Sequence, residues 1–507
     1  MDVGSLLASG FAVALTPTNL LYCLLGSVIG TAIGVLPGLG PPATIALLLP
    51  VTYGMPPTSA VILLAGIFYG AMYAGSTTSI LLNIPGEAAS VVTCIDGYQM
   101  ARQGRAGAAL AVSAIGSFVA GTVSIVGLML LAPPLAQFAL RFGAPENAAL
   151  LAVGLMMVGY LGGGSVVKNL AMAVVGLVLG TVGLDPIMGT QRFTYGVYKL
   201  AEGFEFILVA MGLFGIGEVL VNYERAVAPE VLRTRIAGLL GTREDWRRAA
   251  LPLTRGSLLG FFIGVLPGGG AVVASFITYA LEKRLSRHPE RFGRGAVEGV
   301  AAPEAANNAA ATSSFIPLLT LGIPGNASIA LILAALLIHG IRPGPLLVSD
   351  QPQVFWGLVA SMYLGNVLLL VLNLPLIRLW VSLLRVPYRH LGPLILVVVL
   401  VGAYSVNNNP TDVGIVVVFG ALGWILRRLD FEPAPLVLAM ILGPQLEAAL
   451  RRTLIYSHGD FGVFLQRPIS AALLGVAALM MLVPAARRLL ARRPWQPPAP
   501  LEERSDS

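Results

Sequence analysis

The sequence predicts an all-α, polytopic membrane protein of about 10–14 transmembrane segments, built as two inverted-topology repeats that each contain re-entrant or broken helices. Three observations carry that prediction. Hydrophobic residues make up 56% of the chain and charged residues 11%, where an ordinary soluble domain is about 25% charged. The string Gly34-Val35-Leu36-Pro37-Gly38-Leu39-Gly40 recurs as Gly264-Val265-Leu266-Pro267-Gly268-Gly269-Gly270, and each copy is followed by a Ser/Thr-rich stretch and an Ile-Pro-Gly, at Ile84-Pro85-Gly86 and Ile323-Pro324-Gly325. Finally, basic residues surround the second copy and are missing from the first.

Apolar segments run over 19–51, 58–83, 107–140, 146–162, 166–184 and 204–221. A polar, Arg-rich connection follows from Asn222 to Arg255. The second half reads 256–282, 303–324, 326–340, 353–385, 391–404, 411–427, 433–447 and 469–486. This divides the chain into a first transmembrane repeat (1–221), a basic cytoplasmic connection (222–255), a second repeat (256–491) and a Pro- and charge-rich tail (492–507) expected to be disordered. The N-terminus lacks the charged region and small-residue cleavage site of a signal peptide, so the first segments are expected to stay in the mature protein.

Charge placement orients the copies. No Lys or Arg occurs before Arg102 and Arg105, whereas Arg243, Arg247, Arg248 and Arg255 precede the second copy and Lys283, Arg284, Arg287, Arg291 and Arg294 follow it. Basic residues at both ends of 256–282 put both ends in the cytoplasm. Halves of about 10–14 residues are too short to span singly, so this stretch reads as a re-entrant hairpin. The first copy is then free to enter from the opposite face. A parallel duplication is the alternative, because 19–36 is long enough to span by itself. Pro37 to Pro85 is shorter than Pro267 to Pro324, and the added residues fall in the basic loop around Lys283 to Arg294.

The breaks are where chemistry is expected. Irregular backbone at membrane depth survives only when buried in protein or lining a watery cavity. A helix that restarts there presents unpaired N–H groups and a positive dipole end, which bind anions without a charged side chain. Gly38, Gly40, Gly268, Gly269 and Gly270 leave the backbone open to a ligand, and the N–H groups of 37–44, 84–88, 267–275 and 323–328 become the candidate anion site. That range includes Thr44, Pro85, Gly86, Gly325 and Asn326. Ser76, Thr77, Thr78, Ser79 and Asn83 in the first copy, and Asn307, Asn308, Thr312, Ser313 and Ser314 in the second, add hydroxyls and amides. These suit a carboxylate or a Na⁺ shell, the latter at Asn83, Asn307 and Asn308. The competing reading is close-packed glycines and helix–helix hydrogen bonds, which are common in bundles.

Of the charged groups, Glu87 and its counterpart Asn326 are expected to cap helices. Asp96 and Glu304 are candidates for proton or cation coupling, and Lys168 and Arg192 for interfacial anchors. Cys23 and Cys94 read as buried small hydrophobes, and the four histidines have no ligand spacing. No P-loop, His-Glu-x-x-His or Gly-x-Ser-x-Gly is present, so no enzyme is expected. The net charge of +7 sits in short loops between apolar segments and does not suggest a nucleic-acid partner.

Long strings of this chain resemble the large membrane subunit of the tripartite tricarboxylate transporters, the TctA family: Gly34 to Thr44, Tyr73 to Ser90, Asp96 to Gly107, Pro303 to Ala309 and Pro317 to Gly325. Ala311-Thr312-Ser313 departs from the more Gly-rich run expected there. The resemblance implies a secondary transporter of carboxylates (tricarboxylates, dicarboxylates or aromatic acids) driven by a Na⁺ or H⁺ gradient, with no other cofactor. It implies a small four-helix membrane subunit and a periplasmic solute-binding protein as partners, in a Gram-negative inner membrane. The rival readings are a channel, a non-transporting subunit and an intramembrane enzyme.

Overall fold

The structure is a computed structural model and describes residues 3–36, 40–161, 165–185, 188–224, 240–266, 270–383 and 388–490. Nearly all of it is helix. The elements are α1 (Val3–Ala14), α2 (Pro17–Val35), α3 (Pro41–Leu48), α4 (Pro57–Leu82), α5 (Val91–Arg102), α6 (Ala106–Ala139), α7 (Ala144–Leu161) and α8 (Val166–Gly180). A two-stranded antiparallel ribbon, β1 (Gly183–Leu184) and β2 (Gln191–Arg192), leads to α9 (Phe206–Glu224). The second half holds α10 (Arg243–Val265), α11 (Ala271–Leu285), α12 (Glu298–Ser313), α13 (Phe315–Leu321), α14 (Ala327–Ile338), α15 (Pro352–Asn373), α16 (Ile377–Leu383), α17 (Tyr388–Asn407), α18 (Pro410–Arg428), α19 (Ala434–Tyr456) and α20 (Pro468–Leu490). Among the described residues, seven helices are long and apolar enough to cross a membrane and six shorter apolar helices accompany them. The all-α, polytopic class expected from composition is the class observed.

The two halves repeat a packing unit as well as a string. Gly26, Gly30 and Gly34 of α2 lie against the carbonyls of Leu63, Ile67 and Ala71 of α4, so closely that a Cβ on any of them would overlap the oxygen. Gly256, Gly260 and Gly264 of α10 lie in the same way against Ala302, Ala306 and Ala310 of α12. Glycine at every fourth residue makes one smooth ridge, and lipid tails give helices no hydrophobic reason to associate, so close backbone contact supplies the attraction. Both partners advance four residues at each step, so each pair of helices runs parallel. Each hairpin then breaks at the end of its ridge: α2 stops at Val35 and α10 at Val265.

Both hairpins return. The start of α2 meets the start of α4, where Ser59 donates to Asn19 at 2.6 Å, and α4 follows directly on the turn that ends α3. Arg255 of α10 pairs with Glu282 of α11 at 2.6 Å, tying the two arms of the second hairpin together. Arg248 of α10 pairs with Glu298 at the start of α12 at 2.8 Å. Arg105, just beyond α5, binds Asp245 at the start of α10, and Gln103 donates to the Arg294 carbonyl at 2.8 Å. The end at which α5 finishes is therefore the end at which α10 and α12 begin, and Arg105, Arg248 and Arg294 lie there.

One boundary differs from the sequence reading. The second hairpin's first arm begins at Arg243, inside the stretch expected to be connection, because Thr242 and Asp245 form a reciprocal capping box there. The insertion relative to the first copy is taken up partly as helix: α11 has 15 residues where α3 has 8. Much of the connection, the tail from residue 492 and the Pro-Gly positions 37–39 and 267–269 lie outside the described residues.

The outer helices exchange partners between halves. α9 packs on α18, with Gly212 against the Val416 carbonyl and Gly217 against Gly423. α19 packs on α8 and α7, with Gly176 against Leu436 and Gly180 against Met440. Lys168 donates to the Leu429 carbonyl at 2.6 Å, and Arg192 pairs with Asp185 and Glu447.

Candidate functional site

Each Ile-Pro-Gly follows a left-handed residue that ends a buried helix. Asn83 (φ 57°) closes α4, and Gly322 (φ 71°) closes α13. Glycine takes this conformation freely, and Asn tolerates it better than most side chains. The next helical turn is capped in both copies: a Glu87 oxygen accepts from the Ala89 N–H at 2.7 Å, and Asn326 Oδ1 accepts from the Ile329 N–H at 3.0 Å. Asn326 therefore serves its own helix, as does Glu87. Gly86 is pressed onto the Gly34 carbonyl and Gly75, and its N–H donates to the Gly75 carbonyl at 3.3 Å.

The breaks converge by crossing between halves. The turn Ala88–Ser90 packs on α11, and α14 packs on α3, so each hairpin's returning arm touches the helix that follows the other half's Ile-Pro-Gly. Gly40 caps α3 and Gly270 (φ 50°) caps α11. Thr44 is buried and its hydroxyl turns back to the Gly40 carbonyl at 3.4 Å. Gly38, Gly268 and Gly269 lie outside the described residues.

Glu304 is fully buried in α12. Its carboxylate accepts from the Thr93 hydroxyl of α5, from Ser113 Oγ of α6 at 3.3 Å and from Asn307 Nδ2 at 3.4 Å. The Ser113 hydroxyl is shared with Ser76 Oγ of α4 at 2.8 Å, and Ser76 donates its own proton to the Tyr73 carbonyl at 2.8 Å. Asn308 donates to Ser117 Oγ of α6 at 2.7 Å and to the Glu304 carbonyl at 3.1 Å. Hydroxyls and amides from both halves thus surround one carboxyl whose partners, among the described residues, include no basic side chain. A small cavity beside it is lined by Tyr69, Tyr73, Gly121, Asn308, Thr312 and Asn366, among others.

Of the expected site residues, Ser76, Asn307, Asn308 and Thr312 gather around this carboxyl and the small cavity beside it. Others do not. Thr78 and Ser79 bond back to the Gly75 carbonyl at 3.0 and 3.1 Å, and Ser79 also binds Ser90. Ser313 and Ser314 likewise bond to carbonyls one turn back in their own helix, Ala310 and Ala311. Such back-bonding is how hydroxyls are satisfied inside buried helices, and it uses up much of the hydroxyl runs' capacity. Thr77 is buried beside them, and Pro85, Gly325 and Pro324 shape the turns. Asn83 is exposed, whereas Asn307 and Asn308 are buried.

Asp96 has a different role from Glu304. Its Oδ1 accepts the N–H groups of Gly293, Gly295 and Ala296 at 2.9, 2.8 and 2.8 Å, and its Oδ2 accepts the Tyr279 hydroxyl at 2.9 Å. That carboxylate holds the basic loop against α5. Sequence reasoning missed Thr93, Ser113, Ser117, Tyr73 and Asn366, single polar residues in apolar helices, and it missed Glu218, which accepts the Gly40 N–H at 3.2 Å.

The two halves differ in how their half-helices are covered. α3 is buried beneath α9, and α14 from Ala327 to Leu336 is buried beside α19. On the basic side, α5 exposes Val91 and Ile95, and α11 exposes Val272, Phe276 and Ile277.

Comparison with known proteins identifies the family. The model of the tripartite tricarboxylate transporter TctA family matches residues 20–438. An uncharacterized 52.8 kDa protein in the TAR-I ttuC' 3' region of Agrobacterium vitis is 54% identical over 483 residues, covering 95% of this chain and 96% of that protein. A second protein, in the TAR-II ttuC' 3' region of the same organism, is 55% identical over 231 residues, 45% of this chain and 96% of its own length. No solved structure matches. The chain is a multi-pass membrane protein that belongs to the tripartite tricarboxylate transporter TctA family, and as such a transporter subunit.

Proposed function

We propose that this chain is the large, substrate-translocating subunit of a secondary transporter that imports carboxylates across a bacterial inner membrane, driven by Na⁺ or H⁺. A periplasmic binding protein delivers the substrate and a small four-helix subunit completes the membrane part. The observation that carries this reading is a buried carboxyl, Glu304, held by hydroxyls and amides from both halves with no basic partner among the described residues, in a bundle where α14 packs on α3 and the turn Ala88–Ser90 packs on α11 across the halves. Helix ends restarting inside the protein offer N–H groups and partial positive charge to substrate carboxylates. Glu304 supplies the coupling: an uncompensated buried carboxylate is costly, so it takes a proton or a small cation shared with Thr93, Ser76 and Ser113.

The two hairpins are read as an inverted pair, entering from opposite faces, with the basic face in the cytoplasm. The uneven cover on the half-helices then corresponds to one end of an alternating-access cycle, shut on the far face and uncovered on the cytoplasmic one. Alternation moves α9 and α19, with their neighbours, relative to the hairpins.

The test is uptake of labelled citrate, succinate and benzoate by membrane vesicles holding the chain with both partners. Gly40→Leu and Gly269→Leu should each cut uptake at least tenfold or raise KM. Full transport with unchanged affinity in both variants would sink the site assignment.

A further inference from the structure

The first helix break is already occupied by an anion, and that anion belongs to the protein. Glu218 Oε1 lies 3.2 Å from the Gly40 nitrogen at the cap of α3, where a substrate carboxylate would be received. The pairing joins residues 178 positions apart and places a carboxylate from α9 on the first hairpin. The same side chain has a second partner waiting: its Oε2 is 3.5 Å from Arg427 of α18. Arg427 Nε is buried with no hydrogen-bond partner among the described residues, so the guanidinium has a donor to spare for a carboxylate that moves toward it.

An irregular helical stretch precedes Glu218 in the same helix. Met211–Ile216 is a π-helical stretch inside α9, with Gly212 and Gly215 in it and Gly217 between it and Glu218. π-turns in otherwise α-helical segments cluster at functional sites. Relaxing one such turn to α geometry shifts the downstream residues by one position, a rotation of about 100° about the helix axis. Glu218 would be carried off Gly40 by that change.

We propose that Glu218 is an internal stand-in for the substrate at the first break: it holds the Gly40 N–H in the empty transporter and yields it to a substrate carboxylate, retiring to Arg427. This rests on the carboxylate reading above and adds a specificity-setting residue to it. One N–H cannot fully serve two carboxylates, so Glu218 raises the affinity a ligand must have, and a ligand without a carboxylate cannot displace it. A purely structural ion pair, by contrast, would affect folding and turnover without acting on KM.

Substrate dependence of uptake of citrate, succinate and benzoate should be measured with the full chain and its partner subunits. Glu218→Gln keeps an oxygen for Gly40 but removes the charge, so KM should fall about five- to tenfold, the gap between a charge-assisted and a neutral hydrogen bond. Arg427→Gln takes away the alternative partner and should raise KM by a similar factor. KM unchanged in both, or moving in the same direction in both, overturns the proposal while leaving the carboxylate reading intact. If Glu218→Gln fails to reach the membrane, the sign of the Arg427→Gln change decides by itself. A wild-type complex that takes up none of the three acids overturns the carboxylate reading and the stand-in with it.

Discussion

Glu304→Gln separates coupling from binding. The side chain is fully buried and takes hydrogen bonds from Thr93, Ser113 and Asn307. Glutamine keeps the shape and one acceptor oxygen but turns the other into an NH₂ donor facing groups that also donate. Hydroxyls rotate and accept as readily as they donate, and Asn307 can present its oxygen, so the network re-pairs with the loss of about one bond. The expected cost is about 1–2 kcal/mol of stability, which a folded membrane protein survives. Coupling has no such compensation, because Gln neither takes up a proton nor balances a cation. Gradient-driven accumulation in reconstituted vesicles should fall at least a hundredfold. Counterflow exchange of labelled for unlabelled carboxylate, which needs no net ion movement, should persist within a few-fold. Accumulation within twofold of wild type would refute the coupling role. Loss of both activities, with normal expression, would mean that Glu304 binds substrate.

The packing sets further outcomes. Gly260→Leu should abolish well-folded protein in detergent size-exclusion profiles, since any side chain there meets the Ala306 backbone, whereas Gly414→Leu, with no described atom within 4 Å, should run like wild type. Burial pushes the Asp245 carboxyl up, but the Thr242 backbone and hydroxyl and the Arg105 guanidinium pull it down further, and it ends below its ordinary 3.8. Its contribution to stability is therefore complete above that value and is lost as pH falls through the lower folded value. Asp245→Asn should flatten the acid limb of thermal stability, and an unchanged limb would contradict the assignment. In a chain with Cys23 and Cys94 replaced, Ile95→Cys and Phe276→Cys should react with a water-soluble maleimide added on the side of the basic loop, and Ala330→Cys should not. Equal labelling at all three would contradict the uneven cover.

Membrane class was legible because composition alone leaves too little charge for a soluble surface. The breaks were legible because Pro and Gly act locally, and their recurrence in two apolar halves is visible without any fold. The glycine ridges 26/30/34 and 256/260/264 also stand in the sequence, but 59 glycines hide them until the facing carbonyls are known. The hydroxyl run 76–79 misled in part, because a buried helix can satisfy Ser and Thr with its own carbonyls. Most of the Glu304 cluster was out of reach. Thr93 and Ser113 meet Glu304, and Glu218 meets Gly40, only because helices distant in sequence pack together, and no local pattern encodes such pairs.

Coupled carboxylate transport through the paired breaks is tested most directly by uptake into vesicles holding the complete complex. Citrate, succinate and benzoate would be varied in concentration, with the ion gradient imposed or collapsed. Saturable accumulation of at least one acid above its equilibrium level is expected, lost when both the Na⁺ and H⁺ gradients are dissipated. A non-saturating, gradient-independent flux that stops at equilibrium would contradict coupled transport and favour a channel.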